Sequence, residues 1–557
     1  MAERLRFSTI LIVGCASAIT LGTPDAAAQH QRLTLLHTSD LHGSVLPWDD
    51  FQNQSSDGSL AQVSTLVRQI REEVAHPVLV FDSGDTIQGT PFEQFPHVRW
   101  SEPSPTIAAM NLIGYDAMAV GNHEFNFGLD VLRRAEGQAD FPFLSANTIN
   151  KADGQPAFPA NMVIETGDLR VGVVGLVTPN IPGWERPEHY RGLVFDPMDE
   201  IAREQVRLLR EDQGCDLVIL LAHTGFEKGL DDDSPSGTEF EDFASRLSEV
   251  PGVDLILTGH THKDIPPRGL NDAIVSQPWA RARMLTRIDL ELERKNNKWR
   301  IASWDGLNLP LKSVSPDPEI QQQMAGLHQR VVAALEGPVG RVSDPVSVAG
   351  CRLGDCAALD LIHQVQLEAS GADVSLASLL TERTPDLPAG AVTWRWIYSF
   401  YVYPNTLVKV AVTGAEIRDI LEHAARYYSG LECDPSGGCT LLTDASVPHY
   451  NVDTMAGLSY RVDPTQPVGR RVRNLRIRGR AVDLHQRFTL VCNNYRAAGG
   501  GGYPHLAEAD PVWRSSDEMT DLIGDFIERS GTWRPEVDNN WWIGPALTAE
   551  RAQAATP

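Results

Sequence analysis

The chain has 557 residues, 42% of them apolar, and carries 48 Lys and Arg against 73 Asp and Glu, for a formal net charge of −25. That length is too great for a single hydrophobic core, so two or more domains are expected. The acidic balance argues against long nucleic acid as a partner in the absence of a local basic patch.

Arg4 and Arg6, the mostly apolar stretch from Phe7 to Leu21 and the small residues Ala26-Ala27-Ala28 read as a secretory signal peptide over residues 1–28. The apolar stretch is too short and too interrupted to span a membrane, and no later run reaches that length, so no transmembrane segment is expected. Export to the periplasm or medium follows from this reading. Ile12-Val13-Gly14-Cys15 resembles a lipoprotein cleavage box, so a lipid on Cys15 is the alternative to cleavage near Ala28.

Five short apolar runs then each end in a loop carrying Asp, Asn or His. Leu33–Leu36 leads into SDLHG with Asp40 and His42, and Val78–Phe81 into DSGD with Asp85. Ala117–Val120 leads into GNHE with Asn122 and His123. Leu217–Leu221 precedes AHTG with His223, and Leu255–Leu257 precedes TGHTH with His260 and His262. Such runs bounded by Gly and Ser read as buried strands. In open α/β sheets ligands sit outside the carboxyl ends of the strands, so the five loops are expected to converge. Taken singly, DxH or GNHE is an ordinary turn. Taken together, seven oxygen and nitrogen donors exceed the need of one ion. They suit two divalent ions sharing a carboxylate, the arrangement that serves phosphate-ester hydrolysis. Two such ions would dominate the local field, so a small anionic substrate is compatible with the acidic chain.

The metal-binding domain is expected over residues 31–314, with Pro316 and Pro318 marking its end. Met324, Leu327, Val331, Val332 and Leu335 have roughly helical spacing and predict a connecting helix within 315–338, stopped by Gly337-Pro338. This helix is the expected hinge between the domains. A second domain is expected over 339–529, with helices near Ala357–Ala369 and Gly414–Ala425, followed by a loosely packed tail over 530–557. Of seven cysteines, Cys351 lies close to Cys356 and Cys433 close to Cys439, while Cys215 and Cys492 sit in apolar runs and read as buried thiols. The pairing stays open on spacing alone. In the second domain, YVYPNTL carries Tyr401, Tyr403 and Asn405, and CNNYRAAGGGGYP carries Asn494, Tyr495, Arg496, Gly499 and Gly500. Consecutive glycines let backbone approach a ligand closely, and an aromatic beside them can stack on a base.

The set SDLHG, DSGD, GNHE, AHTG, GHTH resembles the calcineurin-like metallophosphoesterases, and its continuation resembles the 5′-nucleotidase family of exported two-domain nucleotide hydrolases. That resemblance implies an α/β fold: an N-terminal metallophosphoesterase β-sandwich flanked by helices, plus a C-terminal α/β nucleotide-binding domain. It implies one ion on Asp40, His42, Asp85 and His262, and a second on Asp85, Asn122, His223 and His260, with Asp85 bridging. Imidazole with carboxylate suits zinc, manganese or both. His123 would face the phosphate, supported by Asn126 where the 5′-nucleotidases carry Asp. Tyr403 and Tyr495 would sandwich the base of a small-molecule nucleotide, with Asn405, Asn494, Arg496, Gly499 and Gly500 around them. A similar CRxxEC segment in animal nucleotidases is closed by a disulfide, which implies a Cys351–Cys356 bridge.

NNYRAAGGGGYP, YVYPNTL, DTIQGTP and YNVDTMAGLSYRVDPTQP resemble most the 2′,3′-cyclic-nucleotide 2′-phosphodiesterase/3′-nucleotidase branch. Gly501 stands where the 5′-nucleotidases carry an Asp for the ribose hydroxyls, and is expected to leave the ribose room to turn. Their arginine-bearing GGIR is represented only by TERT, with Arg383. CRLGDC points instead to the 5′-nucleotidases. The expected activity is hydrolysis of 2′,3′-cyclic nucleotides to 3′-nucleotides and on to nucleoside and phosphate. The alternatives are a 5′-nucleotidase or nucleotide-sugar hydrolase, a thiosulfate-ester hydrolase, and a nucleotide-binding surface protein without turnover.

Overall fold

Apolar runs covered on both faces become parallel strands, and the first domain places two six-stranded sheets face to face. In the computed structural model, residues 30–226, 243–381, 383–403, 405–433 and 439–544 are described. The leader at 1–28, with Cys15, lies outside them, as do the side chains of Cys433 and Cys439. One sheet has the order Lys298–Pro310, Met284–Lys295, His30–Thr38, Val78–Asp82, Ala117–Ala119, Phe143–Leu144. The other runs Asp264–Leu270, Ala273–Pro278, Leu255–Thr258, Leu217–His223, Leu169–Val177, Asn161–Thr166. Leu33, Leu35 and Phe81 of the first pack against Val171, Ile219 and Leu257 of the second, all fully buried.

Helices close both outer faces. Leu60–Glu73, Pro105–Ile113 and Leu129–Glu136 cover the first sheet, and Met198–Arg207 and Ala244–Ser248 the second. His30–Thr38 is parallel to Val78–Asp82, which is parallel to Ala117–Ala119, so the loops after these strands emerge at one edge. Leu217–His223 and Leu255–Thr258 are likewise parallel neighbours in the second sheet.

The connecting helix spans Pro318–Leu335, begun by Asp317, whose side chain accepts the Glu319 N–H. Ile320, Met324, Val331 and Leu335 are buried in the first domain's core. The helix is therefore packed on that domain along its length.

The second domain centres on a five-stranded sheet in the order Thr454–Ala456, Val374–Ala377, Arg487–Asn493, Thr406–Thr413, Pro511–Glu518. Helices Ala357–Ser370, Gly414–Ala424 and Met519–Ser530 pack on it. The expected loose tail is corrected over its first half. Thr532–Trp533 and Trp541–Ile543 join sheets of this domain, and Trp533, Trp541 and Trp542 are buried. Indole burial outweighs the turn-rich sequence around it. Residues 545–557 lie outside the described part. Cys351 and Cys356 form a disulfide, and Cys215 and Cys492 are buried free thiols.

Beside that disulfide, carboxylate oxygens of Asp355, Asp360 and Asp538 lie within 4.8 Å of one another. Burial and mutual repulsion push Asp355 up to about 8 and Asp360 to about 7. The folded state thus holds protons more tightly than the unfolded chain, whose aspartates titrate near ~4. The cluster costs nothing at pH 4, and its cost grows as pH rises towards 8. Asp360→Asn is expected to raise Tm relative to the unmodified chain at pH 8 and to leave it nearly unchanged at pH 4. A Tm difference independent of pH would contradict this.

Candidate metal centre and nucleotide cleft

All seven expected ligands meet at the shared edge of the two sheets. Donor atoms of Asp40, His42 and His262 lie within 4.8 Å of one another, and so do those of Asp85, His223 and His260. Asn122 Oδ1 stands 3.0 Å from both His223 Nε2 and His260 Nδ1. Asp40, His42, Asp85, His260 and His262 all adopt left-handed backbone conformations, with φ between 48° and 75°. Such conformations cost non-glycine residues energy and gather where function demands an orientation. The glycine of GNHE is required by close approach: a Cβ on Gly121 would collide with the Asp85 backbone and carboxylate.

The imidazole protons show what the centre can hold. His223 Nδ1 donates to the Ser83 carbonyl at 2.7 Å, which leaves Nε2 facing Asp85 Oδ2 and Asn122 Oδ1, each at 3.0 Å. His42 Nδ1 donates to the Gln88 carbonyl at 3.0 Å, and its Nε2 lies 2.9 Å from His262 Nε2. A carbonyl can only accept, so the outward nitrogens offer lone pairs to one another and to oxygens. Lone pairs aimed at common points suit cations, and backbone-anchored imidazoles are how metal-binding histidines are oriented. The electrostatics agree. Burial opposes charge on Asp40, but His262 and His223 overcome it and hold the carboxyl at about 2. Burial likewise opposes charge on Asp85, and His223 and His123 bring it well below the usual carboxylate range. Burial lowers His223, yet Asp85 wins and raises it to about 10, so without a cation a proton occupies the Nε2 position facing Asp85, where the carboxylate calls for positive charge. Burial and the neighbouring His262 keep His42 neutral. Asp85 sits between the two groups, 3.0 Å from His223 Nε2 and within the field acting on His42.

His123 is at the rim, its ring 5.3 Å from that of His42 and its Nε2 3.9 Å from Asp85 Oδ2. Its Nδ1 pairs with Asn126 Oδ1 at 2.6 Å. Asn126 Nδ2 in turn donates to Glu185 Oε1, whose other oxygen holds His189 Nδ1 at 3.0 Å. Glu185 carries no motif and sequence reasoning missed it. A carboxylate only accepts, so it fixes which end of the Asn126 amide faces His123. Glu124, the last residue of GNHE, was missed too. Its two oxygens accept the backbone N–H groups of Gly121, Asp85, Thr86 and Ile87, tying two ligand loops together.

The two aromatic segments adjoin in the second domain, because Leu407 pairs with Asn493 across antiparallel strands and Asn494 Oδ1 accepts the Thr406 N–H. Asn405 braces Met519, accepting its N–H at 2.8 Å. Tyr403 and Tyr495 are 46% and 38% exposed, which leaves ring surface available for stacking. Tyr403 lines the cleft between the domains, and the helix Asn494–Ala497 contacts Ile181–Trp184 of the first domain. Gly500 packs against the Tyr495 ring, where any Cβ would clash, and Gly499 turns the loop at φ 92°.

Two expectations are corrected here. Arg496 does not reach towards substrate: it is buried and spends its donors on Asp453, Asn451 and the Tyr450 and Gly500 carbonyls. It holds the glycine loop. The space expected above Gly501 is filled by Arg496 and Asn451 side chains, so no room for a ribose opens there.

Comparisons with known proteins agree with this architecture. Residues 33–264 match the calcineurin-like phosphoesterase family and residues 332–508 the 5′-nucleotidase C-terminal domain. The chain is 28% identical to the trifunctional nucleotide phosphoesterase protein YfkN of Bacillus subtilis, over 96% of its own length and only 40% of that protein. It is 27% identical to the 2′,3′-cyclic-nucleotide 2′-phosphodiesterase/3′-nucleotidase of Yersinia enterocolitica, covering 94% of this chain and 90% of that one. A Staphylococcus aureus structure assigned as a 5′-nucleotidase, in complex with α-ketoglutarate, superposes with a TM-score of 0.79 at 27% identity, covering 92% of this chain and all of that one. Among the described residues, no helix is long and apolar enough to cross a membrane. With both domain types in the family's order, the chain belongs to the 5′-nucleotidase family of calcineurin-like metallophosphoesterases, metal-dependent hydrolases of phosphoric esters.

Proposed function

We propose that the chain is an exported nucleotide phosphoesterase that opens 2′,3′-cyclic nucleotides to 3′-nucleotides and then releases phosphate to leave the nucleoside. The observation that carries this is the pairing of two donor clusters with a cleft that presents Tyr403. Asp40, His42, Asp85 and His262 would hold one cation, and Asp85, Asn122, His223 and His260 the other, zinc or manganese suiting these donors. Such a pair supplies charge neutralisation for phosphate oxygens and lowers the pKa of attacking water.

The chain's own residues supply the rest. Asn126 Oδ1 accepts a hydrogen bond from His123 Nδ1–H and so aims Nε2 at the site. From there His123 stabilises charge on the phosphate or hands a proton to the departing ribose oxygen. Tyr403 and Tyr495 fix the base, which turns a tethered phosphate ester into a positioned one. The Yersinia relative named for the cyclic-nucleotide activity supports this branch. The family's 5′ activity is the second reading, favoured by the Cys351–Cys356 bridge in CRLGDC.

Phosphate release from a panel of 2′,3′-cyclic, 3′- and 5′-nucleotides tests the assignment, with a phosphatase added to reveal 3′-nucleotide intermediates. The cyclic and 3′ substrates are expected to exceed 5′-AMP in kcat/KM by about tenfold, the scale of one charge-assisted hydrogen bond to ribose. If 5′-AMP is the best of the panel, the branch is wrong while the hydrolase stands. Tyr403→Ala or Tyr495→Ala should weaken nucleotide affinity by about 1–3 kcal/mol, the usual loss of a base stack. Hydrolysis of a small chromogenic ester without a base should fall far less. Equal losses on both substrates would make the tyrosines structural.

A further inference from the structure

The cleft between the domains holds a feature that the proposed reaction leaves unused. It encloses about 330 Å³ and brings Arg281 and Arg283 of the first domain together with Arg383 of the second, beside Tyr403. Three arginines gathered in one cleft run against a chain with 25 more acidic than basic residues. Among the described residues, no carboxylate forms an ion pair with any of the three. The acids that line the same cleft are already engaged. Asp49 accepts the N–H groups of Phe51 and Gln52, and Asp57 faces Lys312 at 3.5 Å. Asp50 accepts the Phe92 N–H, and burial pushes its carboxyl up to about 7.

Arg281 is held rather than loose. Its N–H donates to the carbonyl of Asp40, an expected metal ligand, at 2.7 Å. The loop around it is strained, with Trp279, Arg281 and Ala282 at φ 66°, 57° and 48°. Gly58 packs so closely on the Arg281 and Ala282 carbonyls that a Cβ there would clash. Arg283 is steadied by the Trp279 ring, with Cζ 5.3 Å from its centroid. Burial, Arg283 and Arg383 disfavour the Arg281 charge and outweigh Tyr403 and Asp49, which favour it, and the field of Arg281 reaches His42. Clustered guanidinium groups without acidic partners, placed between a metal centre and an aromatic platform, match a phosphate better than any neutral group.

We propose that Arg281, Arg283 and Arg383 form a subsite for a second phosphate of the nucleotide, distinct from the one that is hydrolysed. The assignment rests on the proposed function for its orientation. With the base against Tyr403 and the 3′ ester at the metal centre, the ribose position left to carry another phosphate is C5′. The preferred substrate class is then a nucleotide with a 5′-phosphate in addition to its 3′ or 2′,3′-cyclic ester.

Inhibition of chromogenic ester hydrolysis by the manganese-reconstituted enzyme separates the two ideas, because it reads binding whichever ester is cut. Adenosine 3′,5′-bisphosphate should give a Ki about tenfold lower than 3′-AMP. In Arg281→Gln/Arg283→Gln that advantage should shrink to about twofold or less. Arg383→Gln, on the other domain and away from Asp40, should reduce it as well, and serves if the double variant folds poorly. An equal Ki for the two nucleotides in the unmodified enzyme, or an undiminished advantage in Arg383→Gln and the double variant, overturns the subsite. If the advantage is present and depends on the arginines while 3′-AMP resists hydrolysis, the subsite stands and the cyclic-nucleotide branch falls.

Discussion

Asp85→Ala should abolish most of the hydrolytic activity and the response to added metal together. Asp85 is fully buried against His223, its Oδ1 accepts the His123 N–H at 2.8 Å, and its field reaches His42 in the neighbouring donor group. Loss of an outer partner of a metal ligand typically costs about 10–100-fold in affinity or activity. Loss of a shared ligand should exceed that range. The physical readout besides activity is thermal. Ligands that bind only the folded state raise Tm with concentration, so zinc or manganese should raise the Tm of the unmodified protein and fail to do so for Asp85→Ala. Metal analysis should approach two ions per chain in the former and fewer than one in the latter. A variant that keeps two ions and a metal-dependent Tm would remove Asp85 from the centre. Activity that survives full chelation would remove the metal reading altogether.

The residues that bear on this prediction were legible in the sequence because three signals coincide at four of the five loops, AHTG having no Gly or Ser before His223. An apolar run gives the strand, a glycine or serine ends it, and a donor follows at once. Parallel neighbours then bring the loops to one edge, as they do for SDLHG, DSGD and GNHE. The connecting helix was legible from Met324, Val331 and Leu335 at helical spacing, but not its attachment, since spacing does not say which domain supplies the partner surface. Arg496 shows the complementary failure. Next to an aromatic and a glycine run it resembles a substrate contact, yet Asp453 lies near enough to bury its charge, and that pairing leaves no trace in local sequence. The Trp-containing tail misleads for the same reason, because Trp541 pairs with Tyr460 from a segment eighty residues earlier, more or less. Glu185 and Arg281 likewise act on residues far away in the chain and belong to no motif.

Glu124 is the clearest case of a function hidden inside a motif, and its substitution should have the second largest effect. Its carboxylate is fully buried and touches no expected cation, yet Oε2 takes the N–H groups of Asp85 and Gly121 at 2.9 and 2.6 Å. Oε1 takes those of Thr86 and Ile87 at 2.6 and 3.2 Å. Burial and the nearby Asp85 charge push Glu124 up, while the Thr86 and Asp85 N–H donors and His223 favour its ionised, accepting form. Glu124→Gln keeps the shape but turns one acceptor into an NH₂ that faces two N–H groups. Each buried donor left without a partner costs about 1–3 kcal/mol, some of it recovered by moving the loops. Movement is what the centre cannot absorb, since Asp85 holds a φ of 60° directly at this contact. The expected result is a fall in kcat/KM of about 10–100-fold with weaker metal affinity, partly rescued by excess manganese. Glu124→Ala should add a loss of Tm that excess metal restores only in part. Should Glu124→Gln keep both metal affinity and turnover, the ligand loops are held by their strands alone, and the carboxylate is dispensable to the centre.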